Sequence, residues 1–375
     1  MSSITPPTRL ARGSAAPITR VGLVGAGRIA NLHAHAIRAA GAEIVGVVSS
    51  TPERGAEAAD RLGITAAFAS LEEMLADESI QTVHITSPNT LHAGQVAEVI
   101  AAGRHFVCEK PFVTSARDAR ALVDAAADAG VVGTIAFTYR YHPLAREARA
   151  RVRAGEVGRL LTVRGNYVQD WLLAAPPSEW RLDRERGGPS RAFADIGSHL
   201  GDLLEFISGE RIRRLVAVEH GVLAPPGDGR PAADDAVAVV VEMAGGAIGT
   251  LLVSQVTAGR GQSLTLEVSG DIAGIAIDQE DPTSLWTGAA GAGTGRHVDL
   301  ASGGLSASAA QLGFVPSGGV EDYFGSFAAF VRDSYAAMAG NFVDSLPMLE
   351  DGLRAVVIGE AVRRSASDGT WISLI

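Results

Sequence analysis

Three polar residues in this chain have the types and positions that proton chemistry at an alcohol needs. Lys110 follows a short apolar run, residues 105–108, and is itself followed by Pro111. An apolar run bounded by proline reads as a buried strand reaching its end, and open α/β sheets bind ligands just outside such ends. Asp195 and His199 lie four apart in a stretch, residues 193–207, that reads as a helix. They are then about 40° apart around the axis and face the same way, and Asp202 returns to that face. Histidine, with a reference pKa of about 6.5, suits removal of a hydroxyl proton. A lysine amine can hydrogen-bond the same oxygen and stabilise the charge growing there. Which of His199 and Lys110 takes the proton is open, and Asp195 either binds a neighbouring hydroxyl or orients the other two. On spacing alone such an Asp–His pair is more often a surface or capping pair. Gly197, inside the helix at a cost of about 1 kcal/mol relative to alanine, suggests a close approach to the backbone.

The elements upstream turn that pair toward catalysis. The apolar run 21–24 leads into Gly25-Ala26-Gly27-Arg28-Ile29-Ala30 and a helical stretch, residues 28–40. In this strand–turn–helix opening the first glycine permits the tight turn and the second lets backbone approach a pyrophosphate. The third small residue allows close helix packing, and the pyrophosphate lies against free N–H groups of the helix N-terminus. A second strand, residues 42–48, ends in Ser49-Ser50-Thr51-Pro52-Glu53-Arg54. No acid stands at the tip to bind a ribose 2′-OH. Ser49 and Ser50 with Arg54 can accept a 2′-phosphate, which favours NADP over NAD; the alternative is that the hydroxyls only cap the helix that begins near Pro52. Strand 82–86 is followed by Ser87-Pro88-Asn89-Thr90-Leu91-His92, a loop at the level of the nicotinamide ribose, and a helix over 92–102. Asn89 either contacts the cofactor or caps that helix, the latter being its more usual role. With strand 105–108 ending in Glu109-Lys110-Pro111, helix 115–129 and strand 131–138, the strands interleaved with helices make a doubly wound parallel sheet.

A charged helix over 144–154 leads to strand 160–168 and then to Tyr167-Val168-Gln169-Asp170-Trp171 and Glu179-Trp180-Arg181. Aromatic and amide groups in such loops could stack on a sugar face and bond its hydroxyls, or the tryptophans could simply anchor loops. Residues 216–222, 236–242, 247–256 and 263–270 read as strands of a mostly antiparallel sheet. Residues 225–229 read as a turn, 286–319 as a long loop, 324–338 and 349–366 as helices, and 370–375 as a last short strand. The division expected is an N-terminal extension (1–19), a dinucleotide-binding domain (20–140) and an α+β domain for substrate and oligomerisation (141–375).

Bulk properties agree. The 375 residues suit two domains, and 47% hydrophobic with 20% charged residues is an ordinary globular composition. A formal charge of −10 argues against a nucleic-acid surface, and no apolar run approaches membrane-spanning length. The single cysteine, Cys108, excludes an internal disulfide and a cysteine-based metal site. His33 and His35 point to different sides of a helix and read as helix-surface or packing residues, so no metal is expected. Residues 1–20 lack the apolar segment of a secretory signal, and the cytoplasm is the default.

Taken in order, Gly25-Ala26-Gly27-Arg28-Ile29-Ala30, Ser87-Pro88-Asn89-Thr90-Leu91-His92, Glu109-Lys110-Pro111, Tyr139-Arg140-Tyr141-His142-Pro143 and Asp195-Ile196-Gly197-Ser198-His199 resemble the Gfo/Idh/MocA oxidoreductases from residue 21 to the end. The closing Asp351-Gly352-Leu353-Arg354-Ala355-Val356 and Gly369-Thr370-Trp371 are similar too. The resemblance implies a nicotinamide-dependent dehydrogenase or ketoreductase of sugars, cyclitols or related polyols, and a Lys110–Pro111 bond that is often cis. Lys110, Asp195 and His199 become the catalytic set. Gly25, Gly27, Arg28, Ile29, Ser49, Ser50, Arg54, Ser87, Pro88, Asn89, His92, Glu109 and Lys110 become the cofactor set. Arg140, Tyr167, Gln169, Trp171 and Trp180 join the catalytic residues around substrate. A homodimer or homotetramer, formed through the open face of the second sheet, is implied as well. Two competing readings are a redox-neutral hydrolase or lyase that oxidises transiently with bound NAD, and a non-enzymatic nucleotide-sensing regulator. The fingerprint ends in Ala30 where a glycine is usual, and Thr138 stands where the family often has asparagine.

Overall fold

The computed structural model describes residues 17–176, 179–221, 234–299, 305–313 and 320–374. The turn expected at residues 225–229, most of the N-terminal extension and parts of the 286–319 loop lie outside these. The first sheet is built from β1 (Arg20–Val24), β2 (Glu43–Val48), β3 (Ala66–Ala67), β4 (Thr82–Ile85), β5 (His105–Cys108) and β6 (Gly133–Ile135). All neighbours are parallel and the order is β3-β2-β1-β4-β5-β6. The two-residue β3 carries no apolar run, which is why the sequence does not mark its position. Between the strands run α1 (Arg28–Ala39), α2 (Pro52–Leu62), α3 (Leu71–Leu75), α4 (His92–Ala101) and α5 (Ala116–Ala129). Local chemistry starts several of them: Thr51, Ser70 and Ser115 each accept a backbone N–H three residues on at the N-termini of α2, α3 and α5. Strand order reverses between β1 and β4, so a crevice opens at their carboxyl ends.

After α6 (Pro143–Arg153), strand β7 (Leu160–Val168) begins the second sheet. A one-turn helix α7 (Arg184–Gly187) and a π-helical turn (Phe193–Gly197) precede α8 (Ser198–Ser208). Then come β8 (Ile212–His220), β9 (Ala236–Met243), β10 (Ile248–Ser254), β11 (Ser263–Gly270), β12 (Ala273–Asp278), β13 (Ser284–Ala289) and β14 (Arg296–Asp299). Short α9 (Ala307–Ala310), long α10 (Val320–Met338) and α11 (Leu349–Asp368), and β15 (Ile372–Ser373) complete the chain. The nine strands are ordered β14-β13-β12-β11-β7-β10-β9-β8-β15, antiparallel except for the parallel β7–β10 pair. Part of the expected 286–319 loop is therefore the β13–β14 hairpin, where Trp286 pairs with both Ala276 and His297. One face of this sheet is buried by α8, whose Leu200, Leu203, Leu204 and Ile207 join Val163, Leu251 and Leu266 in one core.

The last two helices return to the first sheet. Phe327, Phe330 and Val331 of α10 pack with Leu32 and Ile37 of α1. Leu349, Ala355 and Val356 of α11 pack with Ile135 and Leu122. In space, the layer around the first sheet thus includes chain from beyond residue 320. Among the described residues no helix is long and apolar enough to cross a membrane.

Candidate active site

The site begins with the end of β5. Phe106, Val107 and Cys108 are fully buried, and the Lys110–Pro111 bond that follows is cis. Lys110 Nζ donates to Asp195 Oδ1 at 2.6 Å and to the Asp195 backbone oxygen at 3.1 Å. Asp195 lies in the π-helical turn, and its other carboxylate oxygen accepts from Gln255 Nε2 at 2.8 Å, with Arg181 Nε 3.7 Å away. Burial alone would raise the Asp195 carboxyl, but the charges of Lys110 and Arg181 and the hydrogen bonds of Lys110 and Gln255 override it and hold it well below the usual range. His199 is buried at the start of α8, with Phe137 and Tyr139 edge-on to its ring at 5.8 and 5.0 Å. Burial, then the neighbouring Lys110 charge, push its pKa down to about 3. The imidazole is therefore neutral near pH 7 and able to accept a proton. Its Nδ1 is buried without a hydrogen-bond partner among the described residues.

Gly197 answers to packing rather than to a ligand: a Cβ there would stand 2.6 Å from the Phe193 ring within the same turn. Asp202 does not join the site. It forms an ion pair with both forks of Arg140, which also meets Asp351 at 2.9 Å. Arg140, expected near substrate, is thus buried and committed to two carboxylates, interior Asp202 and half-buried Asp351. Tyr167 is buried with its hydroxyl 2.6 Å from that of Tyr139, and Gln262 Nε2 donates to both. Gln169 accepts from Trp171 Nε1 at 2.9 Å. Gln255, which the sequence reading passed over, follows β10 where Gln169 follows β7. Those strands form the sheet's parallel pair, so both amides emerge at one end. A lone glutamine closing an apolar strand was the available signal.

Beside this cleft runs a groove of about 830 Å³ along the carboxyl ends of β1, β2 and β4. Its walls include Gly25, Gly27, Arg28, Ile29, Ser49, Ser50, Arg54, Ser87 and Pro88. The residues fit a dinucleotide. Gly25 has φ +101° and a Cβ there would meet Thr86 at 2.6 Å, whereas above Gly27 there is open space for a pyrophosphate. No side chain caps the N-terminus of α1, so its N–H groups remain available to an anion. Arg61, Arg181 and Arg186 add positive charge, against Glu57, Glu179 and Glu185. Trp180 lines this groove rather than the Gln169 side, with Arg181 stacked 4.5 Å over its ring. Ser50 accepts from Arg54 at 3.2 Å while Thr51 does the capping.

Four residues of the expected cofactor set lie outside the groove's lining, Lys110 in the cleft beside it and three others elsewhere. His92 is fully buried, its two ring nitrogens each 2.9 Å from the carbonyl oxygens of Pro111 and Ser87; it ties the 87–91 loop to the cis-proline turn. Asn89 neither caps α4 nor lines the groove; it donates to the Gly187 carbonyl at 2.9 Å, tying its loop to the end of α7. Glu109 is buried between His33 Nε2 and the Lys110 backbone N–H, each at 3.1 Å. His33, expected as a surface or packing residue, is wholly buried. Among the described residues no group of three or more histidines, cysteines or acids is arranged to hold a metal.

Two family models match the chain: an oxidoreductase family with an NAD-binding Rossmann fold over residues 19–137, and the GFO/IDH/MocA C-terminal domain over residues 145–276. The 1,5-anhydro-D-fructose reductase of Ensifer adhaerens is 34% identical over 234 residues, 62% of this chain and 68% of its own. The chain belongs to the Gfo/Idh/MocA oxidoreductase family. Within the family, levoglucosan dehydrogenase of Pseudarthrobacter phenanthrenivorans is 28% identical over 350 residues, 88% of each chain. The solved structure of a levoglucosan dehydrogenase in complex with NADH and levoglucosan superposes with a TM-score of 0.85 at 28% identity, covering 95% of this chain and 99% of that one. Myo-inositol 2-dehydrogenase of Thermotoga maritima is 24% identical over 95% of this chain and 98% of its own. The protein is an oxidoreductase with an NAD-binding Rossmann domain, and the relatives named above are sugar and inositol enzymes.

Proposed function

We propose that the protein oxidises a secondary alcohol of a monosaccharide, an anhydrosugar or a cyclitol, or reduces the matching ketone, with NADP favoured over NAD. The observation that carries this reading is the Lys110–Asp195 pair beside a neutral, buried His199, next to a groove that Arg181, 3.7 Å from Asp195, also lines. The bound nicotinamide supplies the hydride chemistry. His199 accepts the hydroxyl proton during oxidation and returns it during reduction. Lys110 donates a hydrogen bond to the reacting oxygen and stabilises its negative charge, while Asp195 holds the ammonium in place and accepts from a neighbouring hydroxyl. Gln169 and Gln255 offer further amide groups to substrate hydroxyls. The names of the relatives, among them levoglucosan and anhydrofructose enzymes, support a compact ring substrate.

The NADP preference is supported by Ser49, Ser50 and Arg54 at the tip of β2, where no acid stands to bind a 2′-hydroxyl. Self-association as a dimer or tetramer is supported by exposed Val218, Val240, Ile248 and Leu252 on the uncovered face of the second sheet. The test is a panel of sugars, anhydrosugars and inositols offered with NAD and with NADP while absorbance of the reduced nicotinamide is followed. Product formation with a silent trace would overturn net redox chemistry. A preference for NAD would overturn the cofactor assignment, and a monomer by light scattering would overturn self-association.

A further inference from the structure

A line of buried polar groups leads away from Lys110 into the first domain, and the reaction as described above uses none of it. Glu109 Oε2 accepts the Lys110 backbone N–H at 3.1 Å, and Glu109 Oε1 lies 3.1 Å from His33 Nε2. His33 Nδ1 lies 2.7 Å from His84 Nδ1, and His84 Nε2 lies 2.9 Å from the Tyr335 hydroxyl. The members come from the β5 tip, α1, β4 and α10, and both histidines are completely buried. Phe327 closes against the His33 ring at 4.7 Å.

The hydrogen positions in this line follow from counting donors. Two facing imidazole nitrogens need one N–H and one lone pair, and a neutral imidazole carries one N–H in all. Burial, and then the neighbouring His33, push His84 well below its ordinary pKa, so it is neutral. Glu109 is a carboxylate: burial opposes this, but the hydrogen bond from His33 and the Lys110 charge hold its pKa down. With its one N–H given to that carboxylate from Nε2, His33 accepts at Nδ1. His84 then donates from Nδ1 and accepts at Nε2 from Tyr335. Every donor points toward Glu109.

We propose that Glu109 is a positioning residue for the Lys110–His199 pair, held in place and ionised by a one-way hydrogen-bond chain from Tyr335 through His84 and His33. This deepens the hydride-transfer reading and rests on it. Glu109 fixes the backbone from which the lysine extends, and its negative charge acts on His199 across the cleft, favouring the protonated imidazole. The other groups whose charge interactions involve Glu109 are His92, Cys108 and the Tyr323 hydroxyl. Those acting on His199 are Lys110, Glu109 and Asp195. Hydrogen-bonded chains polarise one another and are costly to leave half satisfied, so loss of one inner member should reach the cleft.

The test reads three things from the full-length protein. Nitrogen NMR of histidine-labelled protein, with His84 assigned by its absence in His84→Gln, should show His84 as the neutral Nδ1–H tautomer; the Nε2–H form would overturn the chain. His33→Leu and Glu109→Gln should each lower kcat about 10- to 100-fold while nucleotide affinity, read by fluorescence titration, stays within about threefold. His33→Gln should restore kcat to within about threefold, because an amide accepts on one side and donates on the other in the same order. Turnover in His33→Leu within threefold of the parent overturns the proposal, as does a His33→Gln protein no better than His33→Leu. Should His33→Leu fail to fold, the tautomer and Glu109→Gln still decide. A parent enzyme that moves no hydride with any alcohol defeats the proposed function alone, since the tautomer is measured without substrate.

Discussion

Asp195 and Asp202 stand seven residues apart on one helical run, and each meets a cation from an earlier part of the chain. Their environments differ in what is left over. Arg140 spreads its guanidinium over Asp202 and Asp351, and the Arg140 and Asp202 side chains are only 8% and 5% exposed. A rigid fork paired with carboxylates leaves neither partner free for chemistry. Lys110 is a point charge on a flexible stem, and it and Asp195 are 16% and 19% exposed. The pair has donors and lone pairs to spare and a face open to the cleft. One ion pair joins α8 to α11 through Arg140; the other is left partly exposed. Burial and charge type together separate the two, although the spacing in sequence is that of one helical face.

The sharpest way to break this comparison is to remove each cation. Lys110→Ala is expected to lower kcat about 10³-fold or more, with nucleotide affinity intact. Near-normal turnover in that variant would remove Lys110 from the chemistry. Arg140→Leu should instead cost about 3–5 kcal/mol of stability by stranding the buried Asp202 carboxylate and leaving half-buried Asp351 without its cation, seen as a lower denaturation midpoint. A stable protein with impaired KM would return Arg140 to the substrate site. Asp195→Asn keeps the shape and removes the charge that holds Lys110; turnover should fall about 10²-fold, whereas the same change at Asp202 should act through stability.

A fourth measurement concerns pH. A base is lost as pH falls through its own pKa, and that of His199 is held down at about 3 by burial and Lys110. No acid limb from His199 is therefore expected in kcat/KM for alcohol oxidation between pH 6 and 8. A limb near pH 6.5 that disappears in His199→Asn would show that the imidazole is solvated like a surface histidine. The smallest effect is reserved for the groove: Arg54→Ala should weaken NADP about tenfold, the loss of one charge-assisted contact, and leave NAD unchanged. Equal losses with both nucleotides would mean that Arg54 does not read the 2′-phosphate.

Much of this was legible in the sequence because neighbours in the chain decide it. The Gly25-Ala26-Gly27 turn, the Thr51 and Ser115 caps and the polar end of the apolar run at Lys110 are local patterns with local causes. The Lys110–Asp195–His199 grouping could be anticipated from their types and the helical period. Arg140, His92 and Asn89 were misplaced for a common reason. Each is polar and sits in a motif beside the cleft, and nothing nearby in sequence reveals that Asp202, the Pro111 carbonyl or the Gly187 carbonyl will claim it. Gln255 was missed because its neighbour Gln169 arrives only through the β7–β10 pairing.

By itself the sequence determined a nucleotide-binding α/β domain joined to a mostly antiparallel one, because hydrophobic period, turn glycines and caps act over a few residues. Only the tertiary structure decided that Asp195 pairs with Lys110 while Asp202 pairs with Arg140, that His33 is interior, and that α10 returns to cover α1. His84 and Tyr335 are 251 residues apart. Whether such groups meet, and whether water remains between them, depends on how the packed layers close. That is what separates a charge available to a ligand from a charge already neutralised.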